Sequence, residues 1–303
     1  MNICIFGAGS LGSALGGLLA GRHEVTMVAR RENVLAIRRH GLRLVGDVGL
    51  RVEPVCVEKV DGLEPPRLLI VCTKAYDTQN AVDACRHFVD EDTMVLTLQN
   101  GLGNLEILRK WRKNRAFGGT TTMGAALVSP GIVRVSGLGV AVIGSDLDAS
   151  GAIEIASAFE SSGLPARVRR DIISEIWAKA IVNACINPMT SILRVSNGRL
   201  LSGPTISRFM REVSIECEHV TRAEEINLPQ EEMYSRVQSV CRNTSNNLSS
   251  MLQDIMNGRH TEIQQINGVF CSTGRRSGIP TPLNDTLVAS VSSLENFSRK
   301  EKG

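Results

Sequence analysis

The sequence predicts two domains: a doubly wound parallel α/β domain over residues 1–168 and an all-α domain over residues 169–303. Three observations carry this. Up to about residue 170, short apolar runs alternate with helical stretches, the order that builds a parallel sheet covered on both faces. A glycine-rich turn, Gly7 to Gly12, sits between the first apolar run and the first helix. From Asp171 onward no run reads as a strand, and helical periodicity takes over.

In chain order, NICIF (2–6) reads as a strand, Ser10 to Ala20 as a helix and EVTMV (24–28) as a second strand. Asn33 to His40 suits a short helix. LRLV (42–45) and LRVEPVCV (50–57) flank Gly46-Asp47 and read as a hairpin. LLIVC (68–72) and MVLTL (94–98) are unbroken apolar runs, which mark strands buried on both faces. A helix from Tyr76 to Val89 separates them. Further strands are expected at 115–119, 131–136, 139–143 and 165–169, with a helix at 151–162. The second half reads as helices at 171–193, 203–226, 229–257, 260–275 and 282–299. Pro229 and Pro282 fall where a first helical turn tolerates proline, and Gly258 reads as a stop.

Composition narrows the function classes. A net charge of +3, with no dense basic run or aromatic ladder, argues against nucleic acid as a partner. The cysteines at 4, 56, 72, 85, 185, 217, 241 and 271 form no C-x-x-C pair, and several lie inside apolar runs. They read as reduced small hydrophobes, which points to the cytoplasm. Residues 3 to 21 carry no charge, a property shared with signal peptides and membrane spans. Only Met1 and Asn2 precede the run, so it lacks a basic n-region, and its six glycines suit a span poorly. A buried strand followed by a helix packed on a sheet explains the same apolarity without a membrane.

Gly7-Ala8-Gly9-Ser10-Leu11-Gly12 matches G-x-G-x-x-G in the strand–turn–helix context that gives the motif meaning. Gly7 allows the tight turn, Gly9 lets a pyrophosphate approach the backbone, and Gly12 lets helix and strand pack closely. The helix N-terminus then offers unbonded N–H groups and a partial positive charge to the phosphates. At the end of the second strand an NAD site usually carries Asp or Glu, whereas this chain has Ala29-Arg30-Arg31. A guanidinium can pair with a 2′-phosphate through charge and two hydrogen bonds. Arg30 is therefore expected to select NADPH (NADP in its oxidised form). Arg31 is either a helper or a solvated basic corner.

Reduction of a carbonyl needs a hydride from the cofactor and a proton from the protein. Within the helix expected at 171–193 an apolar run is interrupted by Lys179, Asn183 and Asn187, spaced i, i+4, i+8 on one face. A lysine on such a helix that is partly desolvated loses basicity and becomes a usable acid. The alternative is a solvated polar stripe. A second polar stripe, Asn243, Asn247, Ser250 and Asp254, is expected along the 229–257 helix, with Glu262 in the first turn of the next. Glu262 could equally be a favourable charge at a helix start. His260-Thr261-Glu262 matches the H-x-E of zinc deaminases, but the P-C-x-x-C partner is missing, so no metal is expected.

Beyond GAGSLG, the chain carries CTKA around Lys74, QNG with Asn100, WAKAIVNACINPMTSI (177–192), NLSSMLQDI (247–255) and RHTEI followed by ING (259–268). In this order, over nearly the whole length, these blocks resemble the ketopantoate reductase (2-dehydropantoate 2-reductase) family. The resemblance implies a Rossmann domain joined to a helical domain of the 6-phosphogluconate dehydrogenase C-terminal type. It implies reduction of 2-dehydropantoate to (R)-pantoate with NADPH, on the route to pantothenate and coenzyme A. Residue by residue, it implies Lys179 as the catalytic acid and Glu262 as the acidic residue that binds substrate. It further implies Asn183, Asn187 and Ser250 as substrate-binding positions. Lys74 and Asn100 match cofactor contacts, with Asn100 also near substrate, and Arg30 matches the 2′-phosphate arginine. Gln264 departs from the Asp that many relatives carry, on what should be a different helix face from Glu262. Relatives include monomers and dimers, so a homodimer stays open. The same fold also suits a reductase of another 2-keto acid. A chain keeping the nucleotide site alone would be an NADPH-sensing regulator, with no use for Lys179 and Glu262.

Overall fold

The computed structural model describes residues 1–228 and 232–300, so Pro229 lies outside the described residues. β1 (Asn2–Phe6), α1 (Ser10–Leu19) and β2 (Glu24–Val28) form where the pattern places them. α2 (Arg31–His40) starts ahead of the expected Asn33. The expected hairpin forms only in part. β3 (Leu42–Gly46) and β4 (Leu50–Val52) pair antiparallel, but the run breaks at Glu53-Pro54. Pro54 has no N–H to give a ladder. Beyond it, β5 (Val55–Val57) joins β2 as a parallel edge strand of the main sheet.

β6 (Leu68–Val71) and β7 (Met94–Thr97) are buried at every residue, as unbroken apolar runs require. The helix between them is shorter than expected: a 3-10 turn at Ala75–Asp77 leads into α3 (Thr78–Cys85). There follow α4 (Asn104–Trp111), β8 (Ala116–Thr121), β9 (Ala125–Ser129), β10 (Ile132–Val135), β11 (Ala141–Gly144), α5 (Ala149–Ser161) and β12 (Ala166–Val168). α4 and β9 have no counterpart in the sequence reading.

The main sheet runs β12-β11-β8-β7-β6-β1-β2-β5 and is parallel except where β8 meets β11. From β5 to β8 this is the doubly wound dinucleotide order, with its switch point between β1 and β6. A second, four-stranded sheet, β4-β3-β10-β9, was not expected. α1 touches both sheets. A Cβ on Gly16 would lie 2.9 Å from Met27 Sδ on β2, and one on Gly17 would lie 2.3 Å from Leu44 Cδ1 on β3. α1 is therefore buried from Gly12 to Leu19, which accounts for the uncharged run at 3–21. Among the described residues no helix is long and apolar enough to cross a membrane.

The chain divides into two compact units, residues 1–99 with 103–172, and residues 100–102 with 173–303. The excursion at 100–102 has a local cause. Leu102 is buried in the helical core with Trp177 and Phe270, and its N–H donates to Gln265 O at 2.9 Å. The helical unit comprises α6 (Ile172–Leu193), a 3-10 turn at Asn197–Leu201, α7 (Pro204–Ala223), α8 (Met233–Asn243), α9 (Ser250–Met256), α10 (Ile263–Ser277) and α11 (Pro282–Lys300).

The single helix expected over 229–257 is thus two. Between them, Asn197 N–H donates to Asn247 O and Gly198 N–H to Ser245 O, both at 3.0 Å. These bonds hold the carbonyls of 245 and 247 away from any helical ladder. Ser249 then caps α9 by accepting from Leu252 N–H at 3.1 Å. Asn243, Asn247, Ser250 and Asp254 consequently do not share one helix.

α6 contains Pro188, which cannot donate to the carbonyl of Ala184. Asn267 on α10, fully buried, supplies the missing donor: its Nδ2 lies 3.0 Å from Ala184 O and 2.9 Å from Asn284 Oδ1. Asn267→Ala should therefore cost about 1–3 kcal/mol of stability, because a buried carbonyl loses its partner. Pro188→Ala, which returns an N–H, should offset part of that loss. Denaturant unfolding of both variants and the double variant checks this, and an unchanged midpoint for Asn267→Ala would refute it.

Candidate active site

At the switch point the backbone is shaped for a ligand. Gly7 has φ +105°, a left-handed conformation that glycine adopts without steric cost. A Cβ there would meet Thr73 N at 2.7 Å, and one on Gly12 would meet Gly7 O at 2.1 Å. Both positions need glycine for packing. Gly9 is different: it is exposed, and a Cβ there would have no heavy atom within 4 Å. It precedes α1 without a side-chain cap, leaving first-turn N–H groups to an external acceptor. The turn is anchored by Gly7 and Ala8 N–H, each donating to Val28 O at 3.1 Å. Ala8 O in turn accepts from Asn33 Nδ2 at 3.0 Å. Ser10 Oγ is engaged within the unit, accepting from Leu127 N–H at 3.0 Å. These features fit a dinucleotide pyrophosphate. Arg30, extended just before α2, and Arg31, its first residue, are both exposed at the end of β2.

Lys74 follows β6, half-buried, at the start of the 3-10 turn. Beside it stands Gln99, which sequence reasoning missed. Gln99 Nε2 donates to Thr73 O and Thr78 Oγ1, both at 2.9 Å, and its Oε1 accepts from Thr97 Oγ1 at 2.9 Å. Thr78 Oγ1 also donates to buried Asn104 Oδ1 at 2.7 Å. The ends of β6 and β7 are thereby tied together beside Lys74. The only prior signal was a polar residue directly after an apolar strand.

In the helical unit, Lys179 and Asn183 are half-buried on α6, and Asn187 is buried one turn further on. The face is thus not a solvated stripe. Burial pulls the Lys179 ammonium down from its ordinary 10.5 to about 8, against the charge of Glu262, which favours the protonated form. Glu262 is buried and immediately precedes α10, rather than lying in its first turn as expected. Its side chain makes no capping bond to α10. Gln264 is exposed. Asn100 is half-buried, next to Gly101, where a Cβ would meet Gln265 O at 2.5 Å. The segment 100–102 therefore lies against the first turn of α10. Ser250 is exposed at the start of α9, while neighbouring Ser249 is buried and bonded to Thr190 Oγ1 at 2.7 Å.

A dinucleotide turn at the switch point of one unit, and a lysine of lowered pKa beside a carboxylate in the other, define an oxidoreductase. Residues 3–147 match the family model Ketopantoate reductase PanE/ApbA, and residues 171–295 match Ketopantoate reductase PanE/ApbA C terminal. The chain belongs to the ketopantoate reductase family. A relative from Pyrococcus horikoshii, named 2-dehydropantoate 2-reductase, is 36% identical, with all of both chains covered. The crystal structure of a PanE/ApbA family ketopantoate reductase from Ralstonia eutropha superposes with a TM-score of 0.92 at 31% identity, covering 99% of this chain and 100% of that one. D-mandelate dehydrogenase, solved with NADH and anilino(oxo)acetate, also reaches a TM-score of 0.92, at 29% identity, covering 98% of this chain and 99% of that one.

Proposed function

We propose that the protein reduces 2-dehydropantoate to (R)-pantoate with NADPH, a step in pantothenate and coenzyme A biosynthesis. The observation that carries this reading is Lys179, buried enough to sit near pKa 8 beside Glu262, in a chain with full-length relatives of that name. NADPH, when bound, supplies the hydride. Lys179 delivers a proton to the ketone oxygen as charge develops there. With a pKa of about 8 it is mostly protonated at neutral pH yet gives its proton up readily. Glu262 accepts a hydrogen bond from the substrate hydroxyl, while Asn100, Asn183, Asn187 and Ser250 orient the keto acid. The turn from Gly7 through Ala8, Gly9, Ser10 and Leu11 to Gly12 seats the pyrophosphate against the backbone N–H groups at the start of α1. Arg30 pairs with the 2′-phosphate, Arg31 assists, and Lys74 and Asn100 contact the cofactor near its reactive end.

The acid role sets a pH dependence. Lys179 works in its protonated form, so kcat/KM should be flat below its pKa and fall as pH rises through about 8. The rate profile with 2-dehydropantoate checks this. A rate that climbs through the same range would make Lys179 a base instead.

The likeness to D-mandelate dehydrogenase favours a second reading, an oxidoreductase of aryl 2-keto acids that uses NADH. Steady-state rates with 2-dehydropantoate, an aryl 2-keto acid and pyruvate, each with NADPH and with NADH, separate the two. The proposed reading expects kcat/KM to be highest for 2-dehydropantoate, and a preference for the aryl acid overturns it.

A further inference from the structure

Glu295, on α11, is distant in sequence from every residue assigned a role above, yet it is buried against the segment that carries Glu262. Its Oε1 accepts from Thr261 N–H at 2.9 Å and also from the Thr261 hydroxyl. A carboxylate can only accept, so His260 Nδ1 is the donor to Oε2, at 2.7 Å. Thr261 is fully buried, and its Oγ1 also accepts from Ile263 N–H at 3.3 Å. The residues on both sides of Glu262 are thus fixed by one hydrogen-bonded cluster centred on Glu295. The Glu262 carbonyl is itself held by N–H donors from Gln265 and Ile266 at 3.1 and 2.9 Å.

We propose that Glu295 is a positioning residue: by clamping His260 and Thr261 it sets where the Glu262 carboxylate points, and so the grip on substrate. This rests on the reading of Glu262 as substrate-binding. A buried carboxylate that accepts three bonds from two consecutive residues is a costly way to close a helix contact that an apolar side chain could make. Its use here is orientation. A displacement of about 1 Å at a substrate-positioning group can lower the rate about 100-fold.

Steady-state kinetics on the full-length protein, within a double-mutant cycle, provide the test. Glu295→Ala should lower kcat/KM for 2-dehydropantoate about 10- to 100-fold, with KM for NADPH unchanged, since the nucleotide turn belongs to the other unit. Glu295→Gln, which keeps an acceptor for Thr261 and can donate to a neutral His260, should restore most of the loss. On a Glu262→Gln background, Glu295→Ala should add little. If Glu295→Ala fails to fold, Thr261→Val, which removes one donor at equal volume, should show a smaller loss that also vanishes on that background. A Glu295→Ala loss confined to thermal stability, or one fully additive with Glu262→Gln, overturns the positioning role. If Glu262→Gln alone leaves kcat/KM unchanged, it is the reading of Glu262 that fails, and the proposal falls with it.

Discussion

Lys179→Ala should lower kcat about 100- to 10,000-fold with 2-dehydropantoate and NADPH both saturating, the usual span for losing a positioned acid. The size follows from the surroundings. Lys179 is held near pKa 8 by burial, with Glu262 favouring its charged form. Truncation removes the proton donor and a positive charge that interacts with the buried Glu262. NADPH affinity should be unaffected, because the glycine turn and Arg30 lie in the other unit. A small primary ammonium ion added to the assay should recover part of the rate by entering the vacated space. Near wild-type turnover would remove Lys179 from the chemistry altogether.

Arg30→Ala should lower kcat/KM for NADPH about 10- to 150-fold, the equivalent of charge-assisted hydrogen bonds worth about 1.5–3 kcal/mol. NADH lacks the phosphate, so its kcat/KM should stay level or rise, and the ratio between the two cofactors should narrow. Both Arg30 and Arg31 are exposed, so the NADPH preference should also weaken at high salt. Arg31→Ala should move the ratio less, because Arg31 has already entered α2 whereas Arg30 stands at the strand end. Equal losses for both cofactors would show that Arg30 acts on the fold rather than on the phosphate.

The nucleotide half was legible because its physics is local. A strand, a turn needing a left-handed glycine, and a helix are read from consecutive residues, and β6 and β7 announce themselves as unbroken apolar runs. What escaped depends on distant partners. β3 pairs with β10 across some ninety residues of chain, which no window of periodicity spans. The break between α8 and α9 is imposed by hydrogen bonds from Asn197 and Gly198, so helical spacing over 229–257 was overridden by tertiary contact. The departure of Asn100–Leu102 to the helical unit depends on one buried leucine. In the helical half, Lys179, Asn183 and Asn187 were visible as a polar face on an apolar helix. Gln99 and Glu295 were not, because each matters only through what it bonds to. Glu262 had two readings from its position alone, and its burial depends on packing that no local pattern records.

On the proposed reading, one catalytic lysine and one NADPH site serve the reduction of 2-dehydropantoate. Its most direct test is loss of NADPH absorbance when the purified protein meets 2-dehydropantoate, with the product identified by chiral separation. The expected result is stoichiometric conversion to (R)-pantoate with kcat/KM of about 10⁴ M⁻¹ s⁻¹ or more, and weaker turnover with NADH. No oxidation of either cofactor by 2-dehydropantoate, from protein that is folded and binds NADPH, would contradict it.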